Sequence, residues 1–309
     1  FELQQGFKKV SVWIYFTIFF ALAFLIANIL GGAFTGASIV IGNQGTNINS
    51  PLLIAELQTV FNIFGVLICA AIFGNAGYRD YETNMFPLIF TAPVTPASYY
   101  IGRFSGSFLL SILIQLGITL GLAIGFLMPY LDQDAIGIFR IDAYIHPLLV
   151  MVIPNMFLVG SILFTLAILS RRMLPTYLAS VVLLFGYLTS SNLTSDIETR
   201  WIATLLDPFG GEAVSDLVKY WTPNERDTLL IPFGKWLVLN RLIWLFIGAA
   251  FFLFGMKKFS FSKEYKLFGF KEKKYSQPSN DKVIESSVFH GSISPVFDSF
   301  TTWYQFKTQ

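Results

Sequence analysis

The chain has 309 residues, of which 54% are hydrophobic, 13% are charged and 33 are phenylalanine. Because soluble domains carry about 25% charged residues, this composition excludes an ordinary soluble protein and indicates several membrane-spanning helices. The net charge of +2 gives no reason to expect nucleic acid as a partner, since membrane topology accounts for the basic residues. The single cysteine, Cys69, leaves no pair for an internal disulfide.

The N-terminal residues 1–10 mix apolar and basic side chains just before the first uncharged run. This pattern predicts a short helix lying in the membrane interface, with a solvated terminus as the alternative.

Long uncharged runs predict six membrane spans, because a hydrocarbon core of about 30 Å requires about 20 apolar residues in a helix. The spans are expected at Val12–Leu30, Leu53–Gly77, Tyr100–Met128, Pro147–Leu169, Leu174–Ser191 and Trp236–Met256. The inner connections hold Arg79, Arg103, Arg171 and Arg172. Since positive side chains remain cytoplasmic, both termini are predicted to be cytoplasmic.

Small and polar residues inside the predicted spans suggest packing or cavity-lining roles. Gly117, Gly121 and Gly125 share one face of the third span, which favours close helix packing within the bundle, with a dimer contact as the alternative. The uncharged polar residues are Asn28, Gln58, Asn62, Gln115 and Asn155. Most are expected to bond neighbouring helices, and Asn28, Asn62, Gln115 and Asn155 are the candidate cavity residues. Glu56 and Arg241 lie near outer helix ends, where their charges are expected to snorkel to water.

Two further segments lie outside the predicted spans. The outer connection, residues 196–232, predicts two short surface or re-entrant helices, one over Glu212–Trp221 and one with a capping box from Thr222 to Glu225. After Met256 the composition becomes basic and then rich in serine and proline. Residues 259–309 are therefore predicted to form a cytoplasmic linker. Residues 305–307 faintly resemble residues 5–8, which allows for a second membrane unit that begins after the linker.

The sequence lacks the residue patterns of common catalytic sites. Neither His146 nor His290 lies near acids and cysteines at metal-ligand spacing, so no metal site and no catalytic residue is assigned. The chain has no phosphate-binding P-loop and no serine-nucleophile elbow, so neither an ATPase site nor another enzyme is predicted. Charged groups are also missing from the predicted centres of the spans, so a transport function would require an external motor.

The connection between spans two and three, residues 79–99, is predicted to be a cytoplasmic transmission element. Asp80 is expected to cap a short helix over Glu82–Phe86, which Pro87 would break. Thr95 is expected to cap a new helix that starts at Pro96 and enters the third span. Such a segment is suited to dock in a groove of another protein, and an interfacial helix resting on lipid is the alternative.

These residues resemble the permease subunits of ABC-2 type (type V) ABC transporters. The family's pattern of acids, a leucine, a Pro-Val-Thr triplet and an arginine is matched by Asp80, Glu82, Leu88, residues 93–95 and Arg103. Residues 206–210, 220–222, 225 and 240–242 are similar to a subgroup of large bacterial permeases, some with a second permease unit and an aminopeptidase-like domain. The resemblance covers most of residues 1–258. Because this sequence contains no peptidase residues, the resemblance does not imply peptidase activity.

The resemblance implies an all-α membrane protein with six spans, an N-terminal interfacial helix, a cytoplasmic coupling helix and short outer helices. It implies a permease subunit of an ATP-driven exporter in the bacterial cytoplasmic (inner) membrane, working on a hydrophobic or polymeric substrate. The ATPase-coupling residues would be Asp80, Glu82, Met85, Phe86, Leu88, Ile89, Phe90, Pro93, Thr95 and Arg103. The implied partners are cytosolic ABC ATPase subunits, which would hold ATP and Mg, and a second permease half, either another copy, a fused unit or a separate chain. A motor-free membrane scaffold or assembly factor is the alternative function.

Overall fold

The computed structural model describes residues 2–34, 46–85, 93–193 and 200–261, and every regular element within these ranges is helical. The chain divides at Phe268 into two units, and all the described residues belong to the first. Four predicted coupling residues lie outside the described ranges: Phe86, Leu88, Ile89 and Phe90. The predicted linker also lies outside them, except for its first three residues, 259–261.

The helices follow the apolar runs of the sequence. They are α1 (Glu2–Lys8), α2 (Val10–Leu30), α3 (Pro51–Glu82), α4 (Pro96–Phe126), α5 (Ile141–Ser170), α6 (Leu174–Leu193), α7 (Arg200–Leu206), α8 (Gly211–Val218), α9 (Pro223–Thr228) and α10 (Lys235–Lys258). Within the described residues, α2, α3, α4, α5 and α10 are long and apolar enough to cross a membrane, and α6 has a shorter apolar stretch, Leu174–Leu188. The described part of the chain is therefore an all-α membrane protein, as predicted.

Helices α3 and α5 lie at the centre of the bundle. They pack on each other, while α4 and α6 also contact α3 and α10 packs along α5. The core between them is apolar and aromatic, and Phe73, Tyr100 and Phe164 are completely buried within it. Helix α5 contains a π-helical turn at Leu148–Val152, directly after Pro147. Proline cannot donate a backbone hydrogen bond, which explains why the regular ladder is interrupted at this point.

The glycine stripe of α4 contacts α2 of the same chain. A Cβ atom added to Gly117 would lie 2.8 Å from the carbonyl oxygen of Phe16, and one added to Gly125 would lie 2.5 Å from Ala27 Cβ. A Cβ on Gly121 would overlap the carbonyl oxygen of Phe20. The absence of side chains at these positions therefore allows the backbones of α2 and α4 to touch.

Short helices cover the end of the bundle that holds the 200–234 segment. The predicted capping box is present in α9, where Thr222 and Glu225 each accept a hydrogen bond from the other's backbone N–H. The Thr222 backbone N–H and hydroxyl both donate to the Glu225 carboxylate, and these two bonds hold the pKa of that carboxyl below its usual range. Residues 200–228 contain three short helices, one more than predicted, because α7 precedes the expected pair.

Basic residues collect at the opposite end of the bundle, here called the basic end. It comprises α1, the C-terminal ends of α3 and α10, the start of α4 and the turn between α5 and α6. Contacts connect these segments, since Lys9 donates to Asn75 and Arg171 donates to the carbonyl oxygen of Phe261. Among the described residues, the cations at this end are Lys8, Lys9, Arg79, Arg103, Arg171, Arg172, Lys257 and Lys258.

Candidate functional site

A buried ion pair at the basic end joins α3 to α4. The Asp80 carboxylate accepts hydrogen bonds from the Arg103 guanidinium and from the Tyr99 hydroxyl, the latter at 2.6 Å. Asp80 is only 5% exposed and Arg103 only 6% exposed. We call these three residues, Asp80, Tyr99 and Arg103, the clasp. It connects the two helices that border the inner loop predicted to bind another protein.

Aromatic contacts extend the clasp to the end of α10. The ring of Tyr99 stacks on Phe259 with centroids 5.5 Å apart and meets the ring of Phe261 edge-on. Arg171, at the turn between α5 and α6, donates to the Phe261 carbonyl at 3.0 Å and lies 4.6 Å from the Tyr81 ring centroid. The clasp therefore contacts the chain just past the last long helix, and Arg171 ties the same segment to α3.

The predicted N-cap role of Asp80 is wrong. Helix α3 continues to Glu82 and ends at Thr83 and Asn84, so Asp80 lies inside its last turns. The Asp80 carboxylate, which was expected to cap a new helix at Glu82, instead accepts hydrogen bonds from Arg103 and Tyr99. Asn84 has a left-handed φ of 53°, a conformation that asparagine tolerates better than most residues.

The other described residues of the inner connection lie at its two borders. Glu82 is the last residue of α3, and Met85, just beyond it, is 50% exposed. On the other side, Pro93 is exposed. As predicted, Thr95 caps α4, its hydroxyl accepting from the Ser98 N–H at 3.2 Å, and Pro96 is the first helical residue. The described borders of the inner connection are thus helix ends that the clasp joins to each other.

A second polar cluster lies inside the bundle towards the opposite end. Asn155 donates to Asn62 Oδ1 at 3.0 Å and to the carbonyl oxygen of Phe209 at 3.2 Å. The Arg241 guanidinium donates to Asn155 Oδ1 at 2.7 Å and to Asn240 Oδ1 at 2.6 Å. The expected snorkelling of Arg241 is therefore wrong, since the side chain is 8% exposed and finds its acceptors inside the protein.

Gly210 makes room for this arginine. A Cβ atom on Gly210 would overlap the Arg241 guanidinium, and the residue has a φ of 79°, which side-chain-bearing residues rarely adopt. Asp207 fixes the same turn by accepting from the backbone N–H groups of Phe209 and Glu212. The Leu206–Gly210 segment noted in the sequence is thus a tight turn that closes over Arg241.

The candidate cavity residues do not all come together. Asn62 and Asn155 bond each other, whereas Gln115 lies 3.7 Å from Met156 Sδ and against Gly65. Asn28 is separate, because its side chain bonds the Phe24 carbonyl and the Tyr130 hydroxyl. Several buried polar atoms have no hydrogen-bond partner among the described residues, including Gln58 Oε1, Asn62 Nδ2, Gln115 Oε1 and Thr119 Oγ1. Buried polar atoms of this kind are suited to bind ordered water.

Replacing Arg241 by methionine is expected to lower the free energy of unfolding by about 2 kcal/mol, because two buried amide oxygens lose their donor. Unfolding can be followed by the reaction of a thiol-specific dye with Cys69, the only cysteine, which is 2% exposed in the folded chain. Lys235→Met, an exposed change on the same helix, is the control and should shift stability by less than about 0.5 kcal/mol. Equal shifts for the two variants would show that the buried bonds contribute nothing.

Sequence reasoning missed two features of the basic end. It identified Asp80 and Arg103 separately, although opposite charges at the same depth of neighbouring spans could have suggested their pairing. It assigned Phe259 and Phe261 to a linker, although aromatic residues directly after a span suggest continued packing.

Within the described residues, no group of three or more histidine, cysteine, aspartate or glutamate side chains is placed to hold a metal. No protein-family model, curated protein or solved structure matches the chain.

Proposed function

We propose that the chain is the permease subunit of an ATP-driven exporter of the ABC-2 type, and that ATPase motion enters it through residues 79–99. The observation that carries the proposal is the clasp. A buried ion pair, which resists separation in a low-dielectric site, joins the two helices that border the inner connection. A partner that moves the loop would therefore move α3 and α4 as a unit rather than bend a flexible connection.

Contacts around the clasp supply routes from the loop into the rest of the bundle. Tyr100, next to Tyr99, bonds Thr165 of α5 through its hydroxyl at 2.9 Å, and its ring packs on Phe252 of α10. Along α4, the glycine stripe brings α2 into backbone contact. Displacement of the start of α4 would thus reach α2, α5 and α10 through packed groups, as a shift between two arrangements of the bundle requires.

The proposed topology has six spans with α6 as the fifth, both termini in the cytoplasm, and the bacterial inner membrane as the location. The eight cations that lie at the basic end within the described ranges support this orientation, since such residues mark cytoplasmic ends. The ATPase subunits, their ATP and Mg, and a second permease half complete the proposed transporter.

The test is a photoreactive phenylalanine analogue placed at Met85 of the full chain in its native membrane. The adduct formed on illumination should contain a cytosolic ATPase with a P-loop, and its yield should change when ATP and vanadate trap the closed ATPase. The matched control is the same analogue at Ile138, which is 89% exposed at the opposite end of the bundle. Adducts with lipid alone at position 85 would contradict the proposal and favour the motor-free scaffold.

A further inference from the structure

A cavity of about 330 Å³ lies at the basic end, between α1 and α2 on one side and the start of α6 on the other, with α3 between them. Its volume is at the lower end of the range of about 300–1,000 Å³ for small-molecule sites. Two cations, Lys9 and Arg79, line it, and no acidic residue does. Asp80 lies 3.7 Å from Arg79 Nε, and its carboxylate also accepts from the Arg103 guanidinium and the Tyr99 hydroxyl. The described lining of the cavity therefore carries two cations and no carboxylate.

Five further polar residues line the same cavity, of which one, Ser107, donates to the Arg103 carbonyl oxygen. Ser11, Tyr15 and Tyr177 contribute hydroxyl groups that make no hydrogen bond with any described residue. Asn75 accepts a bond from Lys9 at 2.8 Å, and its amide N–H groups donate to no described acceptor. Two cations and four donor groups around one space form a site for an anion with several acceptor oxygens, and a phosphate group has this chemistry.

The position of the cavity distinguishes a lipid phosphate from a free one. Helix α3 has 32 residues and is about 48 Å long, so its ends extend beyond a hydrocarbon core of about 30 Å. Asn75 and Arg79 lie in the last turns of α3, which this excess length would place at the depth of the lipid headgroups. On the same face of α3, three and four residues apart, Val60, Phe64 and Leu67 are exposed and apolar and offer a surface for an acyl chain.

We propose that this cavity binds the headgroup of an anionic phospholipid, with the phosphate held by Lys9 and Arg79 and one acyl chain lying along the exposed face of α3. Basic pockets between membrane helices recognise anionic headgroups in this way. The bound lipid would connect α2, α3 and α6, which meet around the cavity. The cavity adjoins the clasp through Arg79, but its lining includes none of the three clasp residues, and lipid binding there does not depend on an ATPase partner.

The test measures the melting temperature of the full chain in a zwitterionic detergent during titration with three probes: phosphatidylglycerol, phosphatidylcholine and inorganic phosphate. Phosphatidylglycerol should raise the melting temperature in a saturable manner, and the other two should not. An equal rise with inorganic phosphate would show an anion site without lipid specificity. An equal rise with phosphatidylcholine would show that no headgroup is recognised. Either result overturns the proposal.

The variants separate the cavity from general attraction of anionic lipid to positive charge. Lys9→Gln is expected to weaken the apparent affinity for phosphatidylglycerol about five-fold, the effect of one cation near a membrane surface. Lys257→Gln with Lys258→Gln is the control, because both lysines are exposed at the same end and do not line the cavity. A comparable loss in that control would contradict a built site.

Two more substitutions guard against misfolding and against a different occupant. Tyr15→Phe with Tyr177→Phe keeps both rings and removes only the hydroxyls, so the fold should remain while the affinity falls. An unchanged affinity in this variant would show that these hydroxyl groups do not bind the phosphate, and would contradict the proposed site. Tyr177→Cys tests a second copy of the chain as the occupant, because a disulfide-linked dimer through this position would show that protein, rather than lipid, covers the cavity.

Discussion

Replacement of Asp80 by alanine is expected to lower the free energy of unfolding by about 3–5 kcal/mol, the usual cost of leaving one member of a buried ion pair without its partner. Arg103 would keep its charge at 6% exposure, and the Tyr99 hydroxyl would lose its acceptor. Dye labelling of Cys69 during heating should show a fall in melting temperature of about 10 °C.

The exposed pair of Arg140 and Asp142 is the matched control. Its side chains are 36% and 47% exposed and its N–O distance is 2.6 Å, so geometry is comparable while burial is not. Exposed pairs contribute about 0–1 kcal/mol, and Asp142→Ala should therefore have a small effect. Equal losses in the two variants would contradict the importance that we give to burial of the clasp.

A double substitution separates stability from transmission. Asp80→Leu combined with Arg103→Met removes both charges, and apolar replacements of buried pairs are often neutral. We expect most of the lost stability to return. If the clasp also transmits motion, the nucleotide-dependent change in crosslinking at Met85 should remain absent or weakened in the stable double variant. A full return of that response would limit the clasp to a structural role.

The features that the sequence predicted well are local ones. Long uncharged runs predicted where the long helices lie, because the requirement for apolar residues in a membrane span acts on each segment separately. The Thr95 and Pro96 start of α4 and the Thr222–Glu225 capping box were predicted because each involves only residues within one turn.

The features that the sequence missed depend on tertiary contacts. Asp80 has the residue type of a helix cap, and only the approach of Arg103 and Tyr99 from α4 explains why it lies inside α3 instead. Arg241 was expected to reach water, and its burial depends on Asn155, far away in the chain. In the same way, Lys9 and Arg79 indicated only topology until the fold placed them around one cavity.

Gly121→Leu is expected to lower the free energy of unfolding by about 3 kcal/mol, in the upper part of the range for overpacked interiors. The new side chain would meet the carbonyl oxygen of Phe20 and the Cβ of Ala23, the latter at 2.9 Å, so α2 and α4 would have to separate. Gly102→Leu on the same helix is the control, because nothing lies within 4 Å of a Cβ at that position. The same Cys69 labelling assay measures both.

Compensating substitutions on α2 test whether the backbones themselves touch. A Cβ on Gly125 would meet mainly the Ala27 side chain, at 2.5 Å, so Ala27→Gly should rescue most of the stability that Gly125→Ala loses. At Gly121 the nearest atom belongs to the backbone of Phe20, which no substitution can remove. Ala23→Gly should therefore fail to rescue Gly121→Leu. Rescue at both positions would mean that side chains alone set the distance between α2 and α4. That result would contradict the direct backbone contact that is proposed to carry motion from α4 to α2.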